Sequence, residues 1–211
     1  MRFASLGSGS RGNALVVEAG RTRVLVDCGF GPRSLAARLE RLGLEAAGID
    51  AILVTHEHSD HLSGVAPCAR RHGLEVYLTH GTMSAARFEG VSVRVIDSHA
   101  PFAIGDLEIR PFPVPHDARE PAQFAFSDGS ACLGVLTDAG RVTPHMVAML
   151  ACCDALVLEC NHDVDMLAGG RYPAHLKRRI AGPYGHLDNA AAAELLAQVD
   201  TGRIKHVIAA H

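Results

Sequence analysis

A chain of 211 residues, 48% hydrophobic and 20% charged, is too apolar to stay disordered through self-repulsion and long enough to bury one domain core without disulfides. A formal charge of −3 excludes a protein that draws nucleic acid to its whole surface. No apolar run approaches the roughly 20 residues that cross a bilayer, and the opening segment turns polar where a signal peptide has its apolar stretch, so the expected setting is the cytoplasm, away from membranes.

Near the start, Gly7, Gly9 and Gly12 satisfy a GxGxxG spacing, with Asp27 at the distance of a dinucleotide-binding acid. In that fingerprint the glycines open a helix. Here they lead into Asn13, Ala14, Leu15, Val16 and Val17 and then the break at Gly20, which reads as a strand and a turn. The glycines therefore predict a tight loop between strands. Its backbone N–H groups, with Ser8, Ser10 and Asn13, can line an anionic group of a substrate. A second strand runs over 22–29. A helix follows from Pro32, with Leu35, Leu39 and Leu42 on one apolar stripe backed by Arg38, Glu40 and Arg41.

Next come a buried strand over 51–55, a helix over 61–73, and a strand over 75–79. Strands and hairpins fill 91–117, where apolar alternation meets turn residues. A strand over 131–140, a helix over 143–152, a strand over 154–161, an alanine-rich helix over 187–199 and a last strand over 205–211 complete the chain. Paired strands first and interspersed helices later predict a layered α/β fold with mixed sheets, not a doubly wound parallel one. The six cysteines (Cys28, Cys68, Cys132, Cys152, Cys153, Cys160) show no CxxC spacing and read as reduced, buried, small hydrophobes.

The chemistry concentrates in Thr55-His56-Glu57-His58-Ser59-Asp60-His61. Three imidazoles and a carboxylate at this spacing share no single helix face. They fit a loop that leaves a buried strand and curls into a helix. Desolvating such groups is costly unless something pairs with them, and neutral imidazoles with carboxylates suit zinc and related ions. Further candidates end other strands: Asp27, His116, Asp138 and His211.

HxHxDH followed by His, Asp and His at strand ends resembles the metallo-β-lactamase superfamily. The resemblance spans Asp27 to His211 and implies a single domain over 1–211, a four-layer αββα sandwich of two mixed sheets with flanking helices. It also implies two divalent metal ions per chain, zinc or manganese. His56, His58 and His116 would hold the first ion and Asp60, His61 and His211 the second. Asp138 would bridge them, and Asp27 would orient a histidine or the loop. The nucleophile implied is a metal-bridging hydroxide. His58 stands where di-iron flavoproteins of this fold carry Glu, which argues against an oxygen or nitric-oxide reductase. Asp138 stands where many lactam-hydrolysing members carry Cys. A glyoxalase-type thioesterase would keep the same ligands and stays open.

Later segments narrow the branch. Glu159-Cys160-Asn161-His162-Asp163, then Arg171 to Arg179, then Gly185-His186-Leu187 resemble the YycJ/WalJ-like exodeoxyribonucleases, as does the opening Leu6 to Asn13. Asp188 departs from the more usual Ser of that branch. The superfamily's tRNA-processing phosphodiesterases show a comparable Glu and Gly-His pair. The resemblance implies a 5′-to-3′ exonuclease acting on DNA, with catalytic roles for Asp60, Glu159 and His186. An expelled alkoxide needs a proton, and His186, oriented and kept protonated by Glu159, is a candidate acid. Arg171, Lys177, Arg178 and Arg179 can hold backbone phosphates, and His162 faces substrate. With Tyr172 and Tyr184 the only aromatics nearby, base stacking is expected to be weak and sequence preference slight.

His72, His80, His99, His145, His175 and His206 have no paired ligand and read as surface or core residues. The sequence ends at His211, where the resembling branch continues, and a ligand on a frayed end predicts weaker or uneven binding of the second ion. The alternatives are a small-molecule hydrolase of the same fold, thioesterase or cyclic phosphodiesterase, and a non-enzymatic metal or nucleic-acid binding module.

Overall fold

A computed structural model describes residues 1–211. The first half of the chain builds one six-stranded sheet: β1 (Arg2–Gly7), β2 (Ala14–Ala19), β3 (Thr22–Val26), β4 (Ala51–Leu53), β5 (Glu75–Thr79) and β6 (Val93–Ile96), in that order. β1, β2 and β3 pair antiparallel, and β3 through β6 pair parallel. The second half builds another: β7 (Phe102–Ile104), β8 (Leu107–Pro113), β9 (Ala122–Ser127), β10 (Cys132–Leu136), β11 (Ala155–Glu159) and β12 (His206–Ala210). There β7 to β10 are antiparallel, and β10, β11 and β12 run parallel. Both sheets are mixed, as the strand pattern predicts.

Alternation along each strand decides the layers. Val24 and Val26 face the second sheet, where they meet Leu107, Ile109, Phe124 and Phe126. Leu25, between them, faces outward into a cluster with Leu35 and Leu39 of α1 (Pro32–Glu40) and Val65, Cys68 and Ala69 of α3 (Val65–His72). On the other side Val157 points inward, while Leu156 and Leu158 pack under α5 (Pro144–Leu150) and α8 (Asn189–Gln198). Strands buried on both faces explain why these segments read as continuous apolar runs. The layers are helix, sheet, sheet, helix.

Several elements differ from the sequence reading. Arg2–Gly7 is a strand, paired Arg2 with Glu18 and Phe3 with Val17, although its polar and glycine-rich end hides the signal. The loop of Gly9 and Gly12 then joins two antiparallel strands, as expected for a non-nucleotide loop. Leu42 does not extend the apolar stripe. α1 stops at Glu40, Gly43 turns the chain with φ +68°, and Leu42 is 45% exposed. β9 and the short helices α4 (His80–Ala85), α6 (Val164–Gly169) and α7 (Ala174–Ile180) carry too little periodicity to be read locally. Four cysteines are buried and Cys160 is half-buried, but Cys152 is exposed; all six are free thiols. No helix is long and apolar enough to cross a membrane.

The helix expected over 61–73 is two, α2 (Ser59–Leu62) and α3, broken at Ser63 and Gly64. A β-carbon on Gly64 would lie 1.9 Å from the Phe30 carbonyl oxygen, so only glycine lets the 27–30 loop pack here. Backbone cannot yield as a flexible side chain can. Gly64→Ala is expected to destabilise the fold by about 3 kcal/mol, read as a lower urea midpoint with an unchanged slope. An unchanged midpoint would show that the two loops part without cost.

Candidate functional site

Parallel strands share a direction, so the residues following β3, β4, β10, β11 and β12 emerge at one edge of the two sheets. Asp27 follows β3, His56 to His61 follow β4, Asp138 follows β10, Glu159 ends β11 and His211 follows β12. His116, just past β8, reaches the same edge. The three non-glycine residues with left-handed backbone are Asp27, Asp138 and His211, with φ of 58°, 63° and 61°. Each left-handed turn redirects a side chain as its strand ends, and such conformations concentrate where surrounding structure over-determines them.

Hydrogen bonds fix the direction of each ring. The Thr55 hydroxyl donates to Asp27 Oδ2 at 2.8 Å, so its single proton is committed. It therefore accepts from His56 Nδ1–H at 2.9 Å, leaving the Nε2 lone pair of His56 free to face inward. His61 Nδ1–H donates to Asp27 Oδ2 at 2.8 Å, and His116 Nδ1–H donates to the Gly185 carbonyl at 2.9 Å. His58 is turned the other way, with Nε2 3.2 Å from the Asp117 carbonyl and Nδ1 3.2 Å from His116 Nε2. Anchoring one nitrogen so that the other is aimed is how proteins orient metal-ligating histidines.

The inward atoms form two adjoining groups. His56, His58 and His116 each bring one atom within 4.8 Å of the others, as do Asp60, His61 and His211. Asp138 lies between them. Its Oδ2 is 3.2 Å from His61 Nε2, and its Oδ1 is 3.3 Å from His211 Nε2 and 3.9 Å from His116 Nε2. Five buried side-chain polar atoms lack a hydrogen bond, and three are here: His56 Nε2, Asp138 Oδ2 and His211 Nε2. Buried polar groups are seldom left unpaired, so this set has the character of a site for cations. The donor types, imidazole nitrogen and carboxylate oxygen, match zinc or manganese.

The electrostatics point the same way. Burial, then the neighbouring His61, push His56 well below the ordinary histidine range, and burial lowers His116. Both are held neutral, the form that can bind a metal. Burial also opposes a proton on His61, but Asp138 and Asp27 outweigh it and hold that ring well above its usual value. In His211 burial is outweighed by Asp60 and Asp138. Burial disfavours the Asp138 carboxylate, yet His61 and His211 keep it ionised far below its ordinary value. Protons on His61 and His211 thus balance the Asp60 and Asp138 carboxylates, and a bound cation would take the place of those protons.

Glu159 is fully buried and fully satisfied. Its Oε1 lies 2.7 Å from His186 Nδ1, and its Oε2 accepts from the Ala139 and Leu187 amides at 2.8 and 3.2 Å. This bond fixes the His186 ring, which lines the mouth of the cluster together with Ser10, His162 and Arg179. The cleft they bound measures about 650 Å³.

Residues 22–211 match the model of the beta-lactamase superfamily domain. The chain belongs to this superfamily. The exodeoxyribonuclease YycJ of Bacillus anthracis is 38% identical across all of this chain and 82% of its own length. The exodeoxyribonuclease WalJ of Streptococcus pneumoniae is 32% identical across all of this chain and 81% of its own. Among solved structures, the metallo-beta-lactamase fold protein YhfI of Bacillus subtilis superposes with a TM-score of 0.68 at 19% identity, covering 99% of this chain and 95% of that one. The αββα sandwich is thus the metallo-β-lactamase fold, and the chain is a hydrolase of that superfamily.

Other expected site residues are dispersed. Asn13 is buried, its amide donating to Asp60 Oδ2 at 3.1 Å and its carbonyl accepting from the Gly9 amide, so it holds the ligand loop instead of facing substrate. Ser8 Oγ accepts from the His211 amide at 2.5 Å, which leaves Ser10 as the serine that lines the cleft. Of the four basic residues Arg179 reaches the cleft, where it donates to Asp117 Oδ2 at 2.6 Å. Arg171 borders an adjoining pocket. Lys177 is spent on the Ala168 carbonyl at the end of α6, and Arg178 is exposed without lining either cavity. The six remaining histidines stay outside the core.

The sequence motifs contain Thr55, Asn161 and Gly185 without assigning them a role, and Asp117 is not singled out. Thr55 and Asp117 adjoin His56 and His116 in the chain, which is a local signal; the contact of Asn161 with His211 Nδ1, at 3.0 Å, is legible only in space. Asp27→Asn keeps the left-handed turn but places an amide against the Thr55 hydroxyl and His61 Nδ1–H. Expected is a roughly 10- to 100-fold weaker affinity for zinc, measured by chelator competition. Wild-type affinity would remove Asp27 from the metal-positioning set.

Proposed function

We propose that this chain is a dinuclear metal phosphodiesterase of the cytoplasm that degrades DNA as a 5′-to-3′ exonuclease. The observation that carries the reading is the convergence of unpartnered His56 Nε2, Asp138 Oδ2 and His211 Nε2 beside the Glu159–His186 pair. The names and full-chain similarity of YycJ and WalJ support DNA as the substrate class. His56, His58 and His116 would hold one divalent ion, Asp60, His61 and His211 the other, with Asp138 shared. Zinc or manganese there would supply Lewis acidity toward the phosphoryl oxygens and an acidified water as nucleophile.

The chain's own groups do the rest. Water adds to phosphorus as the bond to O3′ of the terminal nucleotide breaks, and that oxygen needs a proton to leave. His186 supplies it from Nε2, because Glu159 holds Nδ1 and turns the opposite nitrogen toward the cleft. The products are a 5′-mononucleotide and a DNA strand with a new 5′-phosphate. Arg179 and Ser10 hold backbone phosphate, Arg179 exchanging its Asp117 partner for substrate.

The test is protein loaded with zinc or manganese and incubated with 5′- and 3′-end-labelled DNA, single- and double-stranded, beside RNA and a thioester panel. Early release of 5′-mononucleotides from the 5′ end of DNA is expected. Thioester turnover with inert DNA would overturn the reading in favour of a small-molecule hydrolase.

A further inference from the structure

Beside the cleft that His186 lines is a second pocket, of about 510 Å³, lined by the segment after β11, by α6, by the 170–172 loop and by Asn189 at the start of α8. It shares Asn161, His162, Leu167 and Tyr172 with the cleft, so the two are continuous. Its walls are unusual for a surface. Met166 is 77% exposed and Tyr172 57% exposed, though both are large and apolar-faced, and Leu167 beneath them is buried. A flat phenol ring and a flexible, polarisable thioether lining one pocket are wall chemistry that accepts a planar aromatic ring. Polar groups surround the pocket: Asn161 and His162 on the cleft side and Asn189 at the start of α8, with Arg171 and Asp163 adding one charge of each sign. Amide, imidazole and guanidinium groups beside an apolar slot suit a heteroaromatic ring bearing donors and acceptors and linked to phosphate.

We infer that this pocket receives the base of the 5′-terminal nucleotide, stacked between Tyr172 and Met166, an inference that rests on the nuclease reading. The side of the cleft decides which nucleotide. The pocket opens on the wall of His162 and includes Asn189; His162 bridges to Asp188, and Asp188 and Asn189 follow His186 and Leu187 in the chain. His186 gives its proton to O3′ of the departing nucleotide, so that nucleotide lies on this side and its base falls toward Met166 and Tyr172. Stacking is thus stronger than two scattered tyrosines imply from sequence, and it remains tolerant of base identity because every base offers a π-face.

The test compares 5′-phosphorylated oligonucleotides whose first nucleotide carries adenine, thymine or no base (a tetrahydrofuran residue), with the metal-loaded full chain. For the wild type, kcat/KM is expected to fall about tenfold or more at the abasic end, the effect of one lost stacking contact. In Tyr172→Ala and Met166→Ala the gap between base-bearing and abasic ends should close to about twofold, whereas Tyr172→Phe should keep it. Both side chains are exposed, so truncation leaves the core intact. Equal turnover of the three ends by the wild type, or a gap that survives in the double Ala variant, would overturn this inference alone. Cleavage of none of them, with a thioester turned over, would overturn the nuclease reading and this inference with it.

Discussion

Asp138→Asn should lower DNA hydrolysis by roughly 10³-fold, the several kcal/mol that metal-borne charge stabilisation contributes at 1.36 kcal/mol per tenfold. Asp138 is 2% exposed, lies between the two groups of inward-facing ligands and has an oxygen without a partner. Asparagine keeps the shape and tolerates the left-handed backbone at this position. The change therefore removes a negative charge and the oxygen proposed to be shared by both ions, not the fold. Bound zinc measured by mass spectrometry should fall below two equivalents per chain, and thermal unfolding without metal should stay cooperative. Two tightly held equivalents with activity within tenfold of wild type would show that Asp138 is not shared between ions.

His186→Ala should behave differently. Metal content stays at the wild-type level, because no expected ligand is touched, while kcat on DNA falls by about 10²- to 10⁴-fold, the usual range for a lost acid. The deficit should shrink when the leaving oxygen is replaced by sulfur in a 3′-phosphorothiolate linkage, since a thiolate departs without a proton. A deficit of equal size on both linkages would assign His186 to positioning alone. Glu159→Gln is the companion variant. It breaks an anchor to His186 and disturbs a buried carboxylate that also accepts from Ala139 and Leu187, so it should lose stability as well as rate.

The two variants divide the site along its construction. Asp138 belongs to the ligand edge made by parallel strand ends, and His186 to a loop fastened to that edge through Glu159 and through the Gly185 carbonyl. A defect in metal binding and a defect in proton transfer are therefore separable by experiment.

The sequence by itself determined the layered α/β class, because strands such as β10 and β11 are apolar on both faces and the helices over 32–40 and 189–198 are amphipathic or alanine-rich. It also determined which residues could gather, since His56, His58, Asp60, His61, His116, Asp138 and His211 are ligand types standing where strands end. Parallel strands deliver such positions to one edge whatever the details of the loops. What only the tertiary structure decided depends on partners far apart in the chain. Which ring nitrogen faces inward is set by Asp27 and Gly185 across gaps of 34 and 69 residues. Asn13 was drawn from the substrate side into holding Asp60, and Lys177 from phosphate to the end of α6. Leu42 fell outside its stripe and Gly64 split a helix because a turn and a crossing loop overrode local periodicity. Local pattern fixes what a residue can do; the contacts made when the two sheets close fix which of those capacities is used.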